Sequence, residues 1–172
     1  YDPKTDKTEI DERGLFLFGF SNDDFDGLGQ SIFQRIHEED FPNAEKSFQK
    51  TLNEKIGFNA EFRVVLPDGS IIWNYCTGQP QINEDGEILY LIGNCYDITK
   101  RKEREIELKA SEEFNRSVFE NSPDCVKILE LDGSLHSMNS NGLCLMEIDD
   151  ISEFIGKQWI DFWQGDENEM AY

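Results

Sequence analysis

The sequence predicts an α+β protein: short helices lead into an antiparallel meander, a long helix follows, and the opening pattern then begins again. Three observations carry that expectation. Hydrophobic spacing changes from helical to alternating after Gly57. Two Asp-Gly pairs, Asp68-Gly69 and Asp85-Gly86, sit between alternating runs, which is the signature of hairpins. Residues 99–121 then run without Gly or Pro.

Residues 2–7 read as a turn and Thr8–Asp11 as a short strand. Arg13–Phe18 reads as a short helix that Gly19 ends. Asp23–Phe25 and Ser31–Ile36 suggest further short helices. Pro42–Lys55 is a longer one, with Ala44, Phe48 and Leu52 at four-residue spacing on one face. Three strands follow: Phe58–Leu66, Ile71–Gln79 and Ile88–Ile98. The helix over 99–121 carries Ile106, Ala110, Phe114 and Val118 in one stripe and Leu108 and Phe119 on another side. A helix apolar on two sides has two neighbours to satisfy. Asn121-Ser122-Pro123 ends it, because a residue before proline avoids helical geometry.

After Pro123 the chain repeats itself. Cys125–Leu131 and Ser134–Met138 read as strands around Asp132-Gly133. Asn141–Ile148 then echoes Arg13–Phe20 at an offset of 128 residues, and the likeness runs on through Phe154, Gly156 and Phe162. The second copy stops at Tyr172, before any meander, and reads as truncated. The chain begins inside a folded pattern and reads as a fragment of something longer.

Composition narrows the function. The net charge of −20 disfavours a nucleic-acid partner, which needs a basic face. No apolar run reaches the length of a membrane span, and no signal peptide opens the chain. The four cysteines, Cys76, Cys95, Cys125 and Cys144, lack metal-site spacing, and His37 and His136 stand apart from them. Reduced thiols in a cytoplasmic protein are the default expectation. No nucleophile elbow, phosphate loop or metal-binding His/Glu motif points to catalysis, so no enzyme activity is expected of this chain.

The motifs resemble the PAS family of sensor domains. Glu61-Phe62-Arg63, Pro67-Asp68-Gly69, Ile72-Trp73 and Gly93-Asn94-Cys95-Tyr96-Asp97-Ile98-Thr99 are similar, in order and spacing, to the pattern closing many bacterial PAS domains. Ile36-His37-Glu38-Glu39-Asp40 is similar to the segment before the long helix there. Glu120–Asp124 resembles the start of a second PAS domain. The resemblance implies a five-stranded antiparallel sheet with helices on one face, a cytoplasmic sensory role, a homodimer, and an output domain elsewhere, commonly a histidine kinase or a diguanylate cyclase. The expected division is a sensor domain over 1–98, a signalling linker helix over 99–121, and the N-terminal part of a second PAS domain over 122–172.

The same resemblance disfavours two cofactors. Flavin-binding relatives carry a reactive cysteine before the long helix, and Gln30–Glu39 has none. Haem-binding relatives use a histidine on that helix, and Pro42–Lys55 has none. His37 is expected to be structural or exposed.

Centring the hairpins on Asp68-Gly69 and Asp85-Gly86 gives an expected register. Glu61–Cys76–Cys95 and Arg63–Asn74–Asp97 form rows on one face. Phe62–Tyr75–Tyr96 and Val64–Trp73–Ile98 form rows on the other. Composition alone would turn the aromatic face inward. The resemblance instead turns Asn74 and Cys95 to an internal cavity, and we adopt that orientation. Phe33, Phe48, Leu52, Glu61, Asn74, Cys76 and Cys95 are then the cavity candidates. Phe62, Trp73, Tyr75 and Tyr96 are outer-face residues for packing or dimerisation. Arg63, Asp97, Ile98 and Thr99 are candidates for signal transmission, with an Arg63–Asp97 ion pair bracing the strand end. Three functions stay open: a ligand- or partner-driven sensory relay, a ligand-free interaction scaffold, and a thiol redox sensor using Cys76 and Cys95.

Overall fold

A computed structural model describes residues 1–162. The last ten residues of the expected second copy lie outside them. The chain forms two compact units that divide after Glu105.

In the first unit, Asp11 starts α1 (Glu12–Leu17) by accepting a hydrogen bond from the Gly14 amide at 2.7 Å. Gly19, at φ 69°, turns the chain out, and the Phe20 amide returns to the Leu15 carbonyl. The helix expected at Asp23–Phe25 is absent. Asp24 and Asp26 instead hold the backbone amides of Ser21 and Leu28, and short polar side chains used this way compete with helix formation. α2 (Gly29–Phe33) begins two residues before its expected start and stops short of Ile36. Ile36 leaves the helix because it pairs with Val64. α3 (Phe41–Glu54) follows and ends on Lys55 in the left-handed region.

β1 (Phe58–Val65), β2 (Ile71–Ile82) and β3 (Ile88–Asp97) form an antiparallel sheet in the order β1-β2-β3. The expected five-stranded sheet is corrected to three strands. The strand expected at Thr8–Asp11 is absent; a single bridge, Lys7 to Leu28, lies just before it. On the β3 edge Tyr1 exchanges two backbone hydrogen bonds with Leu91 at 3.0 and 2.8 Å.

The expected register fails on one side only. β1 pairs with β2 as Glu61↔Tyr75, Phe62↔Asn74, Arg63↔Trp73 and Val64↔Ile72, one residue from expectation. The cause is the turn. Leu66 and Ser70 close a three-residue loop in which Gly69 sits at φ 83°, a geometry that adds one residue over a two-residue hairpin. The second turn has the same loop, closed by Asn83 and Glu87 with Gly86 at φ 79°. There a bulge between Gln81 and Ile82 restores the expected pairs Asn74↔Asp97, Tyr75↔Tyr96 and Cys76↔Cys95. Side chains alternate along a strand, so the slip turns all of β1 over. Phe62 and Val64 are buried in the core with Leu17, Phe18, Ile36, Ala44 and Cys76, while Glu61 and Arg63 face outward.

α4 (Thr99–Glu120) leaves the end of β3 and buries none of its residues. In the second unit, β4 (Lys127–Leu129) and β5 (Leu135–Met138) form a hairpin, and α5 (Ser140–Leu145) follows. α5 lies 128 residues from α1 and has the same length. Asn139 takes the place of Asp11, accepting from the Gly142 amide at 3.0 Å. Glu147 takes the place of Gly19, with φ 54°, and the Ile148 amide returns to Leu143 as Phe20 returns to Leu15. Asn139 does more than cap. Its amide nitrogen also reaches the carbonyls of Phe119, Ser122 and Asp124.

Candidate functional site

A cavity of about 710 Å³ lies in the first unit between the sheet and the helices. Its walls follow from the corrected register. Phe58, Ala60 and Phe62 come from β1, Cys76 from β2, and Leu91, Gly93 and Cys95 from β3. Phe33 on α2 and Ala44 and Phe48 on α3 close the helical side. The rings interlock edge to face, with Phe48 centred 5.0 Å from Phe33, 6.1 Å from Phe58 and 5.2 Å from Tyr1. Burial and the nearby Asp6 carboxylate push the Tyr1 phenol up to about 12. Thr8 lines the cavity, while its hydroxyl oxygen is buried in the wall and has no hydrogen-bond partner among the described residues.

Gly93 lines the cavity, and its cross-strand partner Gly78 lies beside it in the sheet. A Cβ on Gly78 would lie 2.1 Å from the Phe58 ring, and one on Gly93 would lie 2.1 Å from the Thr77 carbonyl oxygen. Neither position admits a side chain without displacing a neighbour.

Four of the seven cavity candidates line this space: Phe33, Phe48, Cys76 and Cys95. The other three do not. Leu52 is half-buried but off the cavity, because Thr51 takes the inward place on α3. Asn74 faces inward and is fully buried, yet it is tied to the fold, donating to the Leu17 carbonyl at 2.8 Å. Glu61 is on the opposite face, a direct result of the slip of β1. Phe62 moves the other way, from the expected outer surface to the cavity wall. Trp73, Tyr75 and Tyr96 stay on the outer face, Tyr96 about half exposed. Cys76 and Cys95 are joined as a disulfide, with Cα atoms 4.1 Å apart. The expectation of reduced thiols is corrected for this pair; Cys125 and Cys144 are free.

The expected Arg63–Asp97 ion pair is not formed. Asp97 turns back on its own chain and accepts from the Thr99 amide at 2.8 Å, capping the start of α4. Arg63 reaches the segment before α3. Its Nε and one terminal nitrogen hold the Asp40 carboxylate at 2.8 and 2.7 Å, and Glu39 is 2.7 Å away. The Arg63 backbone amide also donates to Asp40 at 2.8 Å. Hydrogen bonding from Arg63 holds the Asp40 carboxyl below the usual carboxylate range.

Sequence reasoning missed the contact that joins α4 to the sheet. Glu61 accepts from Lys102 at 2.6 Å and from Arg101, both in the first turn of α4. The Lys102 hydrogen bond lowers the Glu61 pKa most, with Arg101 adding to it. The Lys102 ammonium lies 5.2 Å from the centre of the Trp73 ring and the Arg63 guanidinium 5.5 Å from it. Trp73 is held at both backbone atoms: its amide donates to the Thr99 hydroxyl at 2.9 Å, and its carbonyl accepts from the Ile98 amide at 2.8 Å. The signal available in the sequence was the alternation of β1 combined with the Lys-Arg-Lys run, read in the register the loop imposes.

Comparison with known proteins agrees with this architecture. A family model described as PAS fold matches residues 7–95, more than half of the chain. An uncharacterised protein of Sinorhizobium fredii, y4lL, is 26% identical over 98 residues, which are 57% of this chain and 12% of that protein. The chain therefore spans about an eighth of that relative's length. Two solved structures share the fold. A sensory box histidine kinase/response regulator from Burkholderia thailandensis aligns with a TM-score of 0.59 at 24% identity, over 68% of this chain and 87% of that one. The N-terminal domain of a diguanylate cyclase with a PAS/PAC sensor, from Marinobacter aquaeolei, aligns with a TM-score of 0.54 at 20% identity, over 59% and 93%. With its family match spanning the sheet, the cavity and the helices that wall it, the chain belongs to the PAS-fold family.

Proposed function

We propose that the first unit is a sensory module that binds a small, largely apolar and uncharged molecule and relays its presence through β3 and α4 to an output domain outside this chain. The observation that carries the reading is the cavity. Its volume is in the range of sites that hold small ligands, and its walls are mostly aromatic and aliphatic with few polar atoms. Asp2 and Glu9 outnumber Lys7, the single cationic side chain at the cavity among the described residues, and this balance disfavours an anion.

The relay runs from the cavity to the helix through β3. Cys95 lines the cavity, and Asp97 and Thr99 begin α4 two and four residues later. Glu61 holds the first turn of that helix to the outer face of the sheet. A ligand that shifts the sheet differentially acts on this latch; coupling of this kind is typically ~1–3 kcal/mol. The output partner is a histidine kinase or a diguanylate cyclase domain, and the sensory unit works as a homodimer in the cytoplasm, with the exposed stripe of α4 against a second copy. The equivalent caps of α1 and α5 support the second unit being a further PAS domain.

Native mass spectrometry of freshly purified chain tests this. A co-purifying small molecule on a dimer is the expected result. Apo protein that also binds nothing from a panel of small uncharged aromatics removes the ligand and leaves the interaction-scaffold reading.

A further inference from the structure

The disulfide has an environment that a purely structural bond does not need. Cys76 and Cys95 face each other across β2 and β3, and both line the cavity. Their Cα separation of 4.1 Å places them in the closer, non-hydrogen-bonded type of antiparallel pair. The two sulfurs are not equivalent. Cys76 belongs to the central strand and is 4% exposed, packed in the core. Cys95 belongs to the edge strand and is only partly buried. The cavity rim beside it includes Tyr90 and Ile92, both about half exposed or more.

We propose that Cys76–Cys95 is a thiol–disulfide exchange site that takes a low-molecular-weight thiol through the cavity, with Cys95 as the sulfur attacked. The step balances as follows. A small thiolate forms a bond to Cys95 Sγ, the Cys76–Cys95 bond breaks, and the electron pair leaves on Cys76 Sγ, which takes a proton from water. A second thiolate then attacks the external sulfur of the mixed disulfide. It releases Cys95 as thiolate, which also takes a proton from water, and carries both small thiols away as their disulfide. The protein gains two electrons and two protons. Cys76 is a poor leaving group because burial disfavours its thiolate, so exchange is slow and the mixed disulfide on Cys95 reverts unless thiol is in excess. The site rests on the cavity reading for its entry route but not on any bound ligand. Its output is local: Cys95 lies two residues before the cap of α4.

The test uses the full chain with Cys125→Ser and Cys144→Ser, which removes the two free thiols. Reduction of the native, folded protein by 2-mercaptoethanol is compared with reduction by the same thiol carried on a bulky polymer. Alkylation and mass spectrometry report the products, and circular dichroism reports folding. The expected result is reduction by the small thiol and none by the tethered one. With glutathione disulfide, Cys76→Ser should hold one glutathione on Cys95, whereas Cys95→Ser should leave Cys76 unmodified while folded. Equal reduction by both thiols, adduct on Cys76, or a bond that resists until the protein unfolds overturns the proposal. Exchange in a protein that neither co-purifies with a ligand nor binds one from the panel leaves this site standing and removes the ligand reading; a ligand beside an inert disulfide does the reverse.

Discussion

Arg63 and Glu61 are two residues apart on β1 and hold different elements. Arg63 ties the segment before α3 to the sheet, and Glu61 ties α4. Removing the Arg63 side chain takes the guanidinium from the Asp40 carboxylate, about one-fifth exposed, and leaves it the backbone amide of residue 63. Arg63→Ala should therefore destabilise the unit by about 1.5–3 kcal/mol in chemical denaturation, the range for hydrogen bonds to charged groups. A loss below that range would mean that water replaces the guanidinium. Asp97→Ala removes only a cap and should cost about 1 kcal/mol. Both Asp40 and Glu61 have carboxyls lowered in the folded state. Their contribution is thus complete above the unfolded carboxylate values of roughly 4 and disappears as pH falls through the lower folded values. Melting followed from pH 6 downward should fall across that window in the wild type, and Glu61→Gln should flatten part of the fall. An unchanged profile in Glu61→Gln would show that the latch adds nothing to stability.

The strands show how much the sequence reveals and where it stops. Alternation located the start of each of β1, β2 and β3 and the ends of β1 and β3 within one residue, but stopped β2 three residues early at Gln79, and the Asp-Gly pairs located both turns. Periodicity cannot count the residues inside a turn, because Asp-Gly serves a two-residue loop and the last two places of a three-residue loop equally well. That ambiguity exchanged Phe62 with Glu61 and Arg63 between the two faces. The second hairpin escaped the error because its bulge restores the residue that its loop adds. Helix α3 was legible from its four-residue spacing, but which of Thr51 and Leu52 points inward was set by packing against β1. Gly93 marks the sheet's tightest approach. Gly93→Ala should cost at least ~1–3 kcal/mol, as expected for forced overpacking, and should widen the β2–β3 spacing. Full thermal stability in that variant would mean that the strands part at this point without resistance.

At the scale of the whole chain, α4 is the element with most unexplained surface. Ile106, Leu108, Phe114 and Val118 are all more than half exposed. If a second copy covers them, Ile106→Glu with Phe114→Glu should halve the mass seen by light scattering while each chain keeps its fold. Association should also strengthen with added salt, since each chain carries a net charge of −20. A wild type that is monomeric at all salt concentrations sinks the dimer. Among the described residues no helix is long and apolar enough to cross a membrane. The recurring caps reach further. Asp11 and Asn139 perform the same task for α1 and α5, but only an amide can also donate. Asn139 therefore fastens the stretch that leaves α4, at Phe119, Ser122 and Asp124, while it starts the next helix. One atom type thus separates two jobs, and Asn139→Asp is the substitution that divides them. It keeps the acceptor that starts α5 and sets a carboxylate against three carbonyls in a fully buried place. The second unit should then melt before the first, turning one unfolding transition into two. That amide is a pin between the end of α4 and the start of α5, and its withdrawal would loosen that joint without touching the cavity or the Glu61 latch.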